Sequence, residues 1–170
     1  MKHLLPLLFL SLFLTTTVFG QQEKIGFFSS SKLVALFPES KTIQIEIEKM
    51  GTEKQADGTA LENDLKAKIQ SFEKEKAGMA QVLQESRIEE IRNLETKIKN
   101  YYATARKEID GKRQELLKPV FEKVNAGIKQ VAEKHKYTAI IDLDTGGQFL
   151  LYIDASRNIL ELMKTELGLK

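Results

Sequence analysis

The sequence predicts an α+β protein, a small β-sheet body from which a long antiparallel helical coiled-coil hairpin projects. Three observations lead there. Short β-branched and aromatic runs stand near both ends of the 170-residue chain. Between them, from about Glu39 to His135, proline occurs only at Pro119. Within that stretch apolar residues return every three or four positions on an otherwise charged background, the mark of a narrow helical stripe.

Residues 1–20 read as a secretory signal. Lys2 and His3 give a polar start, residues 4–14 are nearly all Leu and Phe, and Val18 and Gly20 suit the −3 and −1 positions of a cleavage site. The apolar run is shorter than the roughly 20 residues an uncleaved anchor helix needs to span a bilayer. Export with a cut after Gly20 is the expectation.

Residues 21–38 supply the first strand, Lys24-Ile25-Gly26-Phe27-Phe28-Ser29, and a short helix from Ser31 to Phe37 closed by Pro38. Residues 39–117 then form the hairpin. Ile43, Ile47 and Met50 begin its seam; Leu61, Leu65, Ile69 and Phe72 resume it; Ile91, Leu94, Ile98, Tyr101, Ala105, Ile109 and Leu116 line the returning arm. A single helix of this length would expose its stripe, so it folds back on itself, with the tip near residues 78–87 around Gly78 and the polar run Gln84-Glu85-Ser86-Arg87. Each arm of about 45 residues reaches roughly 65 Å. Lys54, Asp57 and Gly58 interrupt the first seam, and Pro119 either kinks the returning helix or starts a new one.

Residues 118–170 hold the end of that helix, a β-hairpin and a closing helix. The hairpin pairs 137–143 with 148–153 across Asp144-Thr145-Gly146-Gly147, with glycines where positive φ is needed. Asn158-Ile159-Leu160-Glu161 resembles a capping box for a helix ending at Gly168. The strands from the two chain ends must meet, with the arms projecting between them. Such a sheet of about three strands is thin and open-edged, so the fold calls for association through Ile25, Phe27, Ile141, Phe149 and Leu151.

Composition narrows function. There is no cysteine, hence neither a disulfide nor a thiolate metal site, and an exported domain with a small core then depends on oligomerisation. The net charge of +2, with both signs interspersed, gives no case for nucleic acid. Once the signal is removed His135 is the remaining imidazole, and its place between Lys134 and Lys136 is that of a helix C-terminus. Asp142-Leu143-Asp144-Thr145-Gly146 offers aspartic-protease, phosphatase and Ca²⁺-loop readings, but each needs surroundings this chain lacks, and a turn accounts for it. No enzyme activity, metal or cofactor is expected.

Lys24-Ile25-Gly26-Phe27-Phe28-Ser29-Ser30-Ser31-Lys32-Leu33-Val34 resembles the opening strand and helix of the Skp/OmpH family of periplasmic chaperones. The run from Leu117 through Tyr137, followed by Ala139-Ile140-Ile141-Asp142, is similar to that family's helix-to-strand junction, and Asn158-Ile159 with Met163 and Leu167 to its closing helix. The resemblance covers essentially all of the mature chain. It implies a homotrimer with a barrel-like body, three helical hairpins around a cavity, and ATP-independent holding of unfolded outer-membrane proteins in the periplasm. It implies no catalytic residues. Asn158 and Leu160 stand where the family often has Asp and Thr, and Asn caps equally well. The arms alternate Lys and Glu where well-known members are strongly basic, so contact through apolar side chains is the expected holding force.

Met50, Phe72, Met79, Tyr101 and Tyr102 are the candidate client contacts. Met suits promiscuous surfaces, yet at a helical seam it also serves as core; Tyr101 and Tyr102 fit seam packing or client contact equally. The expected partners are unfolded envelope proteins and copies of the chain itself, with membrane contact not required. The competing reading is a structural coiled-coil spacer or adaptor of the cell envelope, which continuous buried heptads would favour.

Overall fold

The computed structural model describes residues 23–169. The signal segment expected at 1–20 lies outside the described residues. In chain order come β1 (Ile25–Phe28), α1 (Ser30–Ala35), α2 (Pro38–Glu75), α3 (Gln81–His135), β2 (Ala139–Asp142) and α4 (Leu160–Glu166). Short 3₁₀ turns stand at Lys76–Gly78, Gly147–Phe149 and Ala155–Arg157. The α+β class with projecting helical arms is what the structure has.

β1 pairs with β2 in parallel, Ile25 opposite Ala139 through Phe28 opposite Asp142. A parallel pair needs a long crossover, and here the whole helical hairpin supplies it. On the other side of β1, Phe27 bridges Asn158, and the Ile159 N–H donates to the Phe27 carbonyl at 2.8 Å. β1 is therefore central, which explains why Phe27 and Phe28, pointing to opposite faces, are both buried.

The core gathers around the root of α3. Val120, Val124 and Val131 repeat at helical spacing and meet Phe28, Leu33, Val34, Phe37, Ile159 and Met163. Gly127 lies on the same stripe, and a Cβ there would come within 2.6 Å of Leu167, so α4 lies on α3 because that position has no side chain. Gly26 is equally constrained, with Ile159 and Tyr137 at 2.8 and 2.9 Å from a would-be Cβ.

Helix ends follow local chemistry. Ser29 caps α1 by accepting from the Lys32 N–H. α3 stops where Lys136 turns left-handed at φ 55°, and the Ala132 carbonyl accepts from both Lys136 and Tyr137. Gly168, at φ +66°, ends α4 with the Leu169 N–H returning to Lys164. Asn158 Oδ1 accepts from the Leu160 N–H at 2.9 Å, at the start of α4. Pro119 neither ends α3 nor begins a helix; α3 runs through it for 55 residues. The lost hydrogen bond is offset where Val120 and Val124, just beyond it, enter the core.

The expected β-hairpin does not form. Gly146 donates to the Asp142 carbonyl at 2.8 Å and Gly147 to Leu143 at 3.2 Å, a right-handed turn in which neither glycine takes positive φ. The 148–153 segment passes through a 3₁₀ turn and then runs without strand pairing. The reason lies in the two aspartates. Asp142 accepts from the Ser30 N–H and Oγ at 3.0 and 2.8 Å, and Asp144 from the Ser31 N–H at 2.6 Å. Both carboxylates are drawn to the N-terminus of α1, which winds the chain away from a hairpin turn.

Candidate functional site

α2 and α3 form the arms, 38 and 55 residues long, so the shorter reaches about 57 Å at 1.5 Å per residue. Their seam changes character along its length. Near the body, Ile47, Gly58, Ala105, Val120 and Val124 are buried. From residue 59 to residue 104 none is buried. The expected seam residue Ile69 is 38% exposed; three residues after Leu65 the inward position falls on Lys68, which bonds Glu90 at 2.8 Å.

Ion pairs cross the seam at four levels: Glu39 with Lys123, Glu46 with Lys112 at 3.9 Å, Lys54 with Glu108 at 2.5 Å, and Lys68 with Glu90. The bond to Glu108 raises the Lys54 ammonium above its usual range, as the bond to Glu90 does for Lys68. Glu39 is held below the carboxylate range by its bond to Lys123, and Glu90 by those to Lys68 and Arg87. Water reaches and screens these pairs, so they align the arms more than they stabilise them.

Midway, α3 grips α2. The Tyr101 hydroxyl lies 3.1 Å from the Lys54 carbonyl and 3.2 Å from Asp57 Oδ2. The Tyr102 hydroxyl donates to Glu62 at 2.9 Å and its ring covers Gly58, where any Cβ would overlap it. The two rings meet edge to face at 5.8 Å. Burial against α2 is the first cause that raises both phenols above their usual range, followed by Asp57 for Tyr101 and Glu62 for Tyr102. The helix-weakening glycine, worth about 1 kcal/mol against Ala, is thus the place where the tyrosine fits.

The tip is a tight turn at residues 76–80, at the near edge of the expected 78–87 window, and the polar run from Gln84 is already inside α3. Gln84 explains the shift: its amide donates back to the Lys76 and Met79 carbonyls, both at 3.0 Å, closing the turn from within the helix. Below the turn Phe72 and Met79 line an open cleft of ≈280 Å³ with Ala67 and Ile91. Val82 and Leu83 are exposed beside it.

With this geometry in view, comparison with known proteins is specific. Residues 24–167 match the family described as outer membrane protein (OmpH-like). The chain belongs to the OmpH-like family. A solved structure of a candidate outer membrane chaperone (OmpH-like) from Caulobacter crescentus superposes with a TM-score of 0.61 at 18% identity, covering 85% of this chain and 83% of that one. At that identity the likeness is one of fold. No curated protein matches the sequence significantly.

On this OmpH-like frame the residues singled out from sequence fall in separate places. Phe72 and Met79 share the tip cleft. Tyr101 and Tyr102 lie at mid-arm with their hydroxyls engaged across the seam, and Met50 is half-buried nearer the body. In the body Phe27 is buried, Ile25 and Ile141 are half-buried, and Phe149 and Leu151 are exposed at 80% and 105%, with Tyr152 beside them at 85%. Sequence reasoning missed a groove of ≈610 Å³ at the arm root, floored by Val34, Ile43, Ile47, Leu117 and Phe121. Its signal was Phe121, which is one position past the buried Val120 and 42% exposed. Asp142 and Asp144 are capping groups, and the Ser31 N–H is the first cause that holds Asp144 below the carboxylate range. Among the described residues no group of three or more His, Asp or Glu is placed to hold a metal ion, and no helix is long and apolar enough to cross a membrane.

Proposed function

We propose that the protein is a non-enzymatic, ATP-independent holdase of the periplasm, reached through a cleaved signal, which keeps unfolded outer-membrane proteins from aggregating between helical arms of a homotrimer. The observation that carries this reading is the distal hairpin. From residue 59 to residue 104 no side chain is buried, so this length of helix contributes little to the protein's own stability and is available to something else. An unfolded β-barrel chain presents alternating apolar side chains and unpaired strand edges, and many weak contacts hold such a chain without selecting one conformation. The neighbouring OmpH-like structure, described as a candidate outer membrane chaperone, supports the same reading.

Association follows from the body. Phe149, Leu151 and Tyr152 together form an apolar surface that a monomer leaves in water, and among the described residues the sheet has two strands. Packing of subunits through this segment, together with the half-buried Ile25 and Ile141 of the sheet, covers both. Met50, Phe72 and Met79 remain the proposed client contacts. Tyr101 and Tyr102 are proposed for that role only when the arms part.

The four ion-paired levels of the seam favour a second reading, a spacer or adaptor whose arms are held in register. Native mass spectrometry of residues 21–170, alone and after dilution of a urea-unfolded outer-membrane β-barrel protein, separates the two. The holdase gives a trimer that carries one client. An oligomer that ignores the client while it aggregates leaves the spacer.

A further inference from the structure

The seam offers two unequal stretches with one feature between them. On the body side, Ile47 and Ala105 are buried and Glu46–Lys112 and Glu39–Lys123 cross between the arms. Beyond Tyr102, Lys68–Glu90 is the one ion pair that crosses among the described residues, and the apolar contacts are half-buried around an open cleft. Between the two, both tyrosine hydroxyls of α3 reach α2, and the Tyr102 ring fills the gap above Gly58, the last buried residue of α2.

We propose that Gly58, Tyr101 and Tyr102 form a clasp that sets where the arms part: beyond it the distal halves of α2 and α3 separate and rejoin as one unit, while the arms on the body side stay closed. Parting the helices at the clasp exposes the tyrosine rings and breaks the cross-arm hydrogen bonds at Lys54, Asp57 and Glu62 together. Parting them beyond it breaks the Lys68–Glu90 pair, the two Gln84 bonds that close the tip turn, and apolar contacts that water already reaches. Loss of resistance is therefore stepped along the arm, and units of that kind open cooperatively. The clasp acts in the isolated protein, whatever the arms hold.

Hydrogen exchange read by mass spectrometry on the protein without client tests this, and its outcome is separate from whether a client is held. Peptides within 62–78 and 84–100 exchange together, at least about tenfold faster than those within 43–57 and 105–130. Tyr102→Phe moves the step toward the body, so that peptides within 48–57 and 103–109 lose about tenfold in protection while 120–131 keeps theirs. Gly58→Ala moves it the same way and further, although alanine alone protects a helix. Gly111→Ala, in open space, leaves the step in place. A smooth gradient from body to tip overturns the clasp. So does a Tyr102→Phe protein whose 48–57 peptides exchange as in the wild type, and this milder variant decides the matter even if Gly58→Ala fails to fold.

Discussion

The body and the arms are made from the same helix yet obey different rules. The last turns of α3 carry Val120, Val124 and Val131 into a core with Leu33 and Met163, all but fully covered. Its first turns carry Ile91, Leu94 and Ile98 along a seam that stays half open. Burial is what folds a protein, so the body supplies the stability and the arms supply reach. The difference shows that helical periodicity reports which face turns inward, and says little about how completely that face is covered.

The comparison breaks first, and by most, at matched leucines. Leu33→Ala, fully buried in the body, lowers unfolding free energy by about 2–5 kcal/mol in urea denaturation. Leu94→Ala, half-buried on the distal seam, lowers it by about 1 kcal/mol or less. Equal losses would show that the arms are as firmly packed as the body.

Glycines sharpen the contrast by sign. Gly127→Ala drives a methyl into Leu167 and destabilises by about 1–3 kcal/mol. Gly111→Ala on the arm meets nothing and stabilises by up to about 1 kcal/mol through helix propensity. Thermal melts of the two variants move in opposite directions.

Acid acts on both regions. Glu166, held by Lys134 and His135, and Asp144, held by the α1 N-terminus, have carboxyls below their usual range in the folded body, as do Glu39 and Glu90 in the arms. A carboxyl lowered on folding contributes stability that is full above its unfolded value and is lost as pH falls through the folded one. The urea midpoint therefore holds at neutral pH and declines below the ordinary carboxylate range. Asp144→Asn makes that decline shallower, because one of the shifted groups is gone.

The smallest effect is at the seam. Lys68→Ala shifts the urea midpoint only slightly, and less at high salt, since water screens the pair with Glu90. A larger change, unaffected by salt, would mean that Lys68 acts through its buried stem.

Much of the fold was legible in residues 24–167, because the arms follow a local rule. A 3-4 spacing with no glycine-proline break means a long helix, and one that long must fold back. Ile43, Ile47, Leu61, Leu65 and Phe72 turn inward as that rule requires, whereas Ile69 shows its limit, since one position of drift exchanges it for Lys68. The candidate site was less legible. The 3-4 spacing put Tyr101 on the seam and left the role of Tyr102 open, and Gly58, which receives the Tyr102 ring, reads from sequence as an interruption of the first arm.

What the sequence determined by itself is the presence of two long helices, their reversal near Gly78, the strand at Ile25–Phe28 and the helix that ends at Gly168, each a matter of local periodicity and turn chemistry. What only the tertiary structure decided is everything that depends on distant partners: the parallel pairing of β1 with β2, the passage of α3 through Pro119, the capture of Asp142 and Asp144 by α1 in place of a hairpin, and the fit of Tyr102 on Gly58. The physical reason is common to all four. Each is a contact between residues more than ten positions apart or a local cost offset by one, and such energies appear only once the chain has brought the partners together.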